Sequence, residues 1–190
     1  MRRLTLLILV LLAGTLQAAD IRSLDVRQQG ESYLLDVTAY LDVAPNEVYR
    51  ILEDWRNYPS LNPRIEEVRR LRRNGDGSLR LHTTLRPCLL FLCTTLIHIQ
   101  DFHFHPEEAV LAINVPNRGS FRSGTTRWLI SPEGDGSLLT FHSELVPNFR
   151  VPPIFGNWVI RRGLRRESIH TIEAVEQQAS HNALLTSIGE

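Results

Sequence analysis

"APNEVYRILEDWRNYPSLNPRIEEV", residues 44–68, begins as a helix and then abandons the helical pattern. Pro45 suits a first helical position, where the missing N–H would have had no partner anyway. Val48, Ile51, Leu52 and Trp55 follow at i, i+3, i+4 and i+7, the stripe of an amphipathic helix. A residue that precedes proline is pushed out of the α region, so Tyr58 and Asn62 mark breaks. The result is an aromatic, proline-bounded elbow from Arg56 to Pro63, where a polar turn would have sufficed. Asp54 is expected to accept backbone N–H bonds at this turn, as Asp commonly does.

Before the elbow, "YLLDVTAYLDV" alternates, with Tyr33, Leu35, Val37, Ala39, Leu41 and Val43 on one face, which predicts a half-buried strand. After it the chain reads as antiparallel strands: "IEEVRRLRR", "SLRLHTTLR", "TTLIHIQDFHFH", "AVLAINV", "TTRWLIS" and "SLLTFHSELV". Leu79, Leu81, Thr83 and Leu85 share an inward face, as do Leu139, Phe141 and Leu145. Leu111, Ile113 and Val115 are placed together on a third strand. The turns "NGDG" and "EGDG" supply the positive-φ positions that hairpins need. From about Ile154 to Ala179 the pattern becomes one long helix, with Ile154, Trp158, Leu164, Ile169, Ile172, Val175 and Ala179 on one broad face. Strand, helix, elbow, about six strands and a long helix make an α+β layout, with helices gathered on one face of an antiparallel sheet.

The N-terminus is a separate matter. Arg2 and Arg3 precede the apolar run "LTLLILVLLAGTL" and then "QAAD", the outline of a secretory signal peptide over residues 1–19. The run is short for a membrane span, which takes about 20 apolar residues. Cleavage near Ala18 or Ala19 would leave a single domain at 20–190, in the periplasm or outside the cell. The 21 basic residues are all Arg and balance 21 acidic ones, which argues against a general nucleic-acid binder.

The stretch 44–68, taken with "PPIFGNWVIRRGLRRESIHTIEAVEQQA" at 152–179, resembles the START-like helix-grip superfamily. That group includes polyketide cyclase/dehydrase and lipid-transport proteins and coenzyme Q-binding START proteins. The resemblance implies a strongly curved antiparallel sheet of about six to seven strands wrapped around the C-terminal helix. It also implies a ligand held between them. In such a fold Trp55, Tyr58, Pro59 and Leu61 either wall one end of the cavity or plug the core.

Further residues bear on the site. Arg161 and Arg165 lie beside the apolar stripe of the last helix, where they form either a cationic rim for an anionic head group or stems packed on the sheet. Cys88 and Cys93 are the only cysteines. Five residues apart on one strand they point to opposite faces, and they can join only if "LLFL" between them is a hairpin tip; otherwise they are two buried thiols. In the hairpin case Leu89, Leu90, Phe91 and Leu92 form an apolar tip suited to transient membrane contact or to gating. Asp101, His103 and His105 alternate opposite Phe102 and Phe104, so they face away from the core, and no metal site is expected there. No Gly-x-Ser-x-Gly, phosphate loop or His-Glu-x-x-His is present, and no cofactor is expected.

The sequence therefore points to a binding or transfer protein for a hydrophobic molecule: a lipid, a quinone or a polyketide-like compound. Its expected lining is Trp55, Tyr58, Leu81, Thr83, His98, Gln100, Phe102, Ile113, Phe141, Trp158, Arg161 and Arg165. Entry is expected at the elbow, at Asn117–Gly119, or before the last helix. Two other readings stay open. One is an enzyme of the cyclase or hydratase type that uses His98 and its neighbours; the other is a closed-core domain that acts through protein contacts.

Overall fold

A computed structural model describes residues 19–89, 92–151 and 156–188. Residues 1–18, Leu90 and Phe91 of the expected apolar tip, and Ile154 lie outside the described residues. Strands β1 (Asp20–Gln29) and β2 (Ser32–Leu41) form a hairpin that leads into helix α1 (Pro45–Glu53). A single 3-10 turn (Trp55–Asn57) and the four-residue helix α2 (Tyr58–Leu61) follow. Then come β3 (Ile65–Arg73), β4 (Leu79–Leu85), the two-residue strands β5 (Cys88–Leu89) and β6 (Leu92–Cys93), β7 (Leu96–His105), β8 (Ala109–Gly119), β9 (Phe121–Glu133), β10 (Gly136–Pro147) and helix α3 (Gly156–Ile188). The main sheet has eight antiparallel strands in the order β1-β2-β10-β9-β8-β7-β4-β3. It curves without closing, and α3 lies across it in the helix-grip arrangement.

The strand missing from the sequence reading is β1. It is an edge strand, so "DIRSLDVRQQ" buries only Val26 and keeps a largely polar surface. Edge strands commonly carry charge, which discourages pairing with other chains. The inner face follows the pairing register. Val37 lies opposite Phe141, and Phe141 opposite Trp128. Trp128 lies opposite Val110, Ala112 opposite Phe102, and Phe102 opposite Leu79. Directly paired residues point to the same side, so this row is one continuous surface. The core sits where that surface meets α1 and the second half of α3, at Val48, Leu52, Ile172, Val175 and Ala179.

Both edges of the sheet reach α3. Arg165 Nη1 donates to the Leu24 carbonyl of β1 (3.3 Å), and Arg64, just before β3, pairs with Glu167 (3.5 Å). The tip of α3 is tied to the start of β2 by Tyr33 Oη donating to Asn157 Oδ1 at 2.6 Å. Further along, Glu176 accepts the Asp42 N–H at 2.9 Å.

The elbow also fixes α3. Asn57 Nδ2 donates to Gln178 Oε1 (2.7 Å), Gln178 Nε2 donates to Ser60 Oγ (2.8 Å), and Asn62 Nδ2 donates to Thr171 Oγ1 (3.0 Å). Its aromatic centre is a plug: the Tyr58 ring lies 6.1 Å from Phe102, and Leu61 is buried. Burial pushes the Tyr58 hydroxyl above its ordinary range, and the hydroxyl donates a hydrogen bond to the Leu52 carbonyl at 2.7 Å, closing the end of α1. Asp54 serves the turn through its main-chain carbonyl, which accepts the Asn57 N–H at 2.9 Å, rather than through its carboxylate.

Cys88 pairs with Cys93 across the β5–β6 hairpin, and the two form a disulfide with Cα atoms 4.0 Å apart. The loop it closes is small. Reduction is therefore expected to lower stability by only about 2 kcal/mol, read as a shift in urea midpoint with and without dithiothreitol.

Candidate functional site

Two surface grooves are measurable at the β3–β4 end. One, of about 510 Å³, is lined by Arg72, Arg80 and Asp101 among others. The second, of about 640 Å³, lies between the elbow and β7, bounded by Arg50, Trp55, Leu79 and Phe104. Both are open and dominated by polar surface, unlike a site that would enclose an apolar guest.

The better candidate is the inner face of the sheet beneath the first half of α3. Here the side chains point toward the helix without being sealed by it. Trp128, Phe141, Leu145 and His98 all face inward, yet each retains accessible surface, as does Leu164 on the helix. Trp128 and Phe141 form a tilted aromatic pair with centroids 4.2 Å apart. Phe121 lies under the His98 ring at 4.4 Å.

A polar band crosses this apolar surface. Thr83 sits opposite His98, and Gln100 opposite Asn114. Thr126 and Ser143 hydrogen-bond across β9 and β10 at 2.9 Å. Thr83, Gln100, Asn114 and Ser143 are all buried. Five strands thus each deliver one or two small polar groups to the same level of the concavity.

His98 and Asn114 form the centre of the band, with Nε2 2.8 Å from Asn114 Oδ1. The amide oxygen can only accept, so Nε2 carries the proton and donates. Asn114 Nδ2 is buried and has no partner. The arrangement depends on Gly124 across the strand pair: a Cβ there would lie 2.7 Å from the Glu144 carbonyl and 3.3 Å from Asn114 Oδ1.

Burial lowers the His98 imidazole to about 4, opposed in part by its hydrogen bond to Asn114. The folded value lies below the unfolded one, so between the two the unfolded chain holds the extra proton. The stability this group permits is complete above about pH 6.5, the ordinary imidazole value. It is lost progressively as the pH falls toward 4. Discounted for the remaining exposure of the ring, the loss is about 2 kcal/mol. Urea unfolding at pH 7 and at pH 4.5 should show it, and His98→Gln should remove that part of the pH dependence.

Of the residues expected to line a cavity, Leu81, Thr83, His98, Gln100, Phe102 and Phe141 occupy the inner face. Tyr58 and Phe102 belong to the packed plug, and Trp55 lies at its rim beneath the Arg56 guanidinium, 4.3 Å from the ring centroid. Ile113 is on the other side: it pairs with Asp101 and Thr125 on the convex face and is 40 % exposed. Strand β8 is apolar on both faces, so alternation alone could not orient it. Its inward set is Val110, Ala112 and Asn114.

Trp158 is 63 % exposed, with Arg162 stacked 5.6 Å from its ring. Its offset of 14 positions from Ile172 leaves it about 40° off that residue's line at 3.6 residues per turn, enough to turn a ring outward where no sheet edge covers it. Arg161 is exposed, and Arg165 reaches β1 rather than the concavity. Asn117 to Gly119 is no loose entry loop. Gly119 has φ 77°, and a Cβ there would meet the Ile97 carbonyl at 2.4 Å. Ser120 donates its N–H to that same carbonyl at 2.7 Å.

Asn114, Thr126, Trp128 and Ser143 were not singled out by the sequence. "TTRWLIS" did carry a signal, since Thr126, Trp128 and Ile130 alternate toward one face. On the convex face, Asp101 binds Arg80 at 2.7 Å, and its carboxyl is held below the usual range mainly by that hydrogen bond. Among the described residues no group of three or more His, Cys, Asp or Glu is placed to hold a metal, and no helix is long and apolar enough to cross a membrane.

The fold recurs among solved structures. The Zhui aromatase/cyclase from a Streptomyces species superposes with a TM-score of 0.64 at 13 % identity, over 80 % of this chain and 96 % of that one. A STAR-related lipid transfer protein from Xanthomonas axonopodis gives 0.63 at 13 % identity, covering 86 % and 99 %. A START superfamily protein from Mycobacterium smegmatis gives 0.61 at 20 % identity, covering 78 % and 97 %. At these identities the likeness speaks for the fold alone. No curated protein matches the sequence. The model of the family described as polyketide cyclase/dehydrase and lipid transport matches residues 34–178, most of the chain, and the protein belongs to that family.

Proposed function

We propose that the protein is an extracytoplasmic carrier that binds an apolar molecule between the sheet and the first half of α3. A lipid, a quinone or a polyketide-like compound would suit the surface. One observation carries this reading: Trp128, Phe141 and Leu145 point at the helix and still keep accessible surface. Side chains of that kind would be sealed if the two layers packed fully. Covering them with a ligand removes apolar area from water, at about 25 cal/mol per Å². The family's description includes lipid transport, which agrees.

Titration with the neutral probe N-phenyl-1-naphthylamine tests the binding. The expected result is saturable fluorescence enhancement at one site per chain. Non-saturable or absent enhancement contradicts it. The location rests on residues 1–19 of the sequence, and fractionation should recover a form beginning near Asp20 outside the cytoplasm. The apolar tip Leu89–Leu92 is the proposed membrane contact during transfer, and flotation with liposomes checks it.

His98 favours binding over catalysis. An effective general base has an acidity near the working pH. At about 4, this imidazole is neutral but a weak base, suited to hydrogen bonding rather than to proton abstraction.

A further inference from the structure

The chemistry of the guest's polar end can be read from the polar band, given the binding reading above. Asn114 is 4 % exposed, and its Oδ1 is engaged by His98 Nε2–H at 2.8 Å. Its Nδ2 has no partner, although buried donors almost always find one. The side chain belongs to the inner face, opposite Gln100 and beside Gly124, so the orphaned N–H lies within the polar band and is shielded from bulk water. The neighbouring groups are neutral: Thr83, Gln100, Thr126 and Ser143. Charged residues beside the band pair on the convex side, where Arg80 meets Asp101 and His142 meets Asp36. On α3, Arg161 and Arg165 are exposed, and Glu167 is occupied by Arg64 and Arg166. Among the described residues no Arg is buried: Arg70 and Arg118, whose strand partners Leu81 and Phe121 face inward, are exposed. An anionic head group buried in the band would therefore have no buried counter-charge.

We propose that the ligand's polar end is a neutral oxygen acceptor of the carbonyl type (a ketone, quinone or ester), docked on the Asn114 amide N–H. The apolar body then lies along Trp128, Phe141 and Leu145. His98 acts as a positioning residue: by donating to Oδ1 it sets the amide so that nitrogen, not oxygen, faces the guest. An alkyl group at the same place leaves the donor unpaired, and a carboxylate adds an uncompensated charge.

Matched probes decide the matter: 2-acetylnaphthalene, 2-ethylnaphthalene and 2-naphthoate, each titrated by calorimetry. The wild-type chain is expected to bind the ketone about tenfold more tightly than the hydrocarbon, with the carboxylate weakest. Two variants remove the donor. Asn114→Leu removes the whole amide, and Asn114→Asp keeps an oxygen for His98; one that folds by circular dichroism is enough. Either should bind ketone and hydrocarbon equally, with the hydrocarbon little changed in Asn114→Leu. If the wild type binds ketone and hydrocarbon equally, or prefers the carboxylate, this inference fails while the carrier reading stands. A ketone preference that survives both variants also overturns it. If none of the three binds, both fall.

Discussion

Phe102→Ala lowers the stability of the folded chain by about 4 kcal/mol, read from urea unfolding at pH 7. The ring is 6 % exposed and lies between Tyr58 at 6.1 Å and Phe104 at 6.0 Å. Phe102 also lies in the row that runs from Leu79 to Ala112. Removing it opens a void at the point where the elbow closes the sheet. That void cannot collapse easily, because Tyr58 is held by the Leu52 carbonyl and the elbow by Asn57, Ser60 and Asn62 against α3. Trp158→Ala, a larger deletion by volume, should change stability by less than about 0.5 kcal/mol, since surface substitutions away from special features seldom do more. A cost for Phe102→Ala below 1 kcal/mol would mean that the elbow end is loosely filled.

Thr126→Trp abolishes binding of N-phenyl-1-naphthylamine, by about 100-fold or more, and leaves the stability nearly unchanged. Thr126 lies on the inner face between Ala112 and Ser143, at the level of the polar band. If there is room above it, an indole occupies the place of the guest and the fold tolerates it. If the layers are tightly packed, the same substitution overfills a core and costs about 1–3 kcal/mol or more. The two measurements together separate a hollow interior from a solid one. Lost binding with an intact fold supports the carrier, whereas a strongly destabilised variant points to a closed core.

Much of the architecture was legible because particular residues left no alternative. Pro45, the stripe through Leu52 and the break at Asn62 fix a short helix and an elbow; Tyr58, although it precedes Pro59, keeps α-region dihedrals and opens α2, and the first helix breaks at Asp54 instead. The alternation in "SLRLHTTLR" and "SLLTFHSELV" orients Leu81, Thr83 and Phe141 correctly. His98 and Gln100 follow from Phe102, which cannot sensibly face water.

The errors arose where local pattern carries no orientation. Strand β8 is apolar on both faces, so alternation alone lets Ile113 read as inward and passes over Asn114, at the centre of the polar band. Only pairing with Gln100 on β7 resolves the choice, and that is a long-range fact. Trp158 followed a helical stripe that is real at Ile172, Val175 and Ala179. Its angular drift over 14 residues is invisible without knowing where the sheet ends. The edge strand β1 was illegible because its sequence is polar for the same reason that edges usually are.

The most direct test of the central claim is native mass spectrometry of the protein purified from its own host, followed by extraction of whatever accompanies it. The account predicts a discrete adduct of amphiphile mass, released on denaturation, carrying a neutral carbonyl group and absent from Thr126→Trp. A chain that flies at its bare mass, from a preparation that also fails to take up N-phenyl-1-naphthylamine, would contradict it.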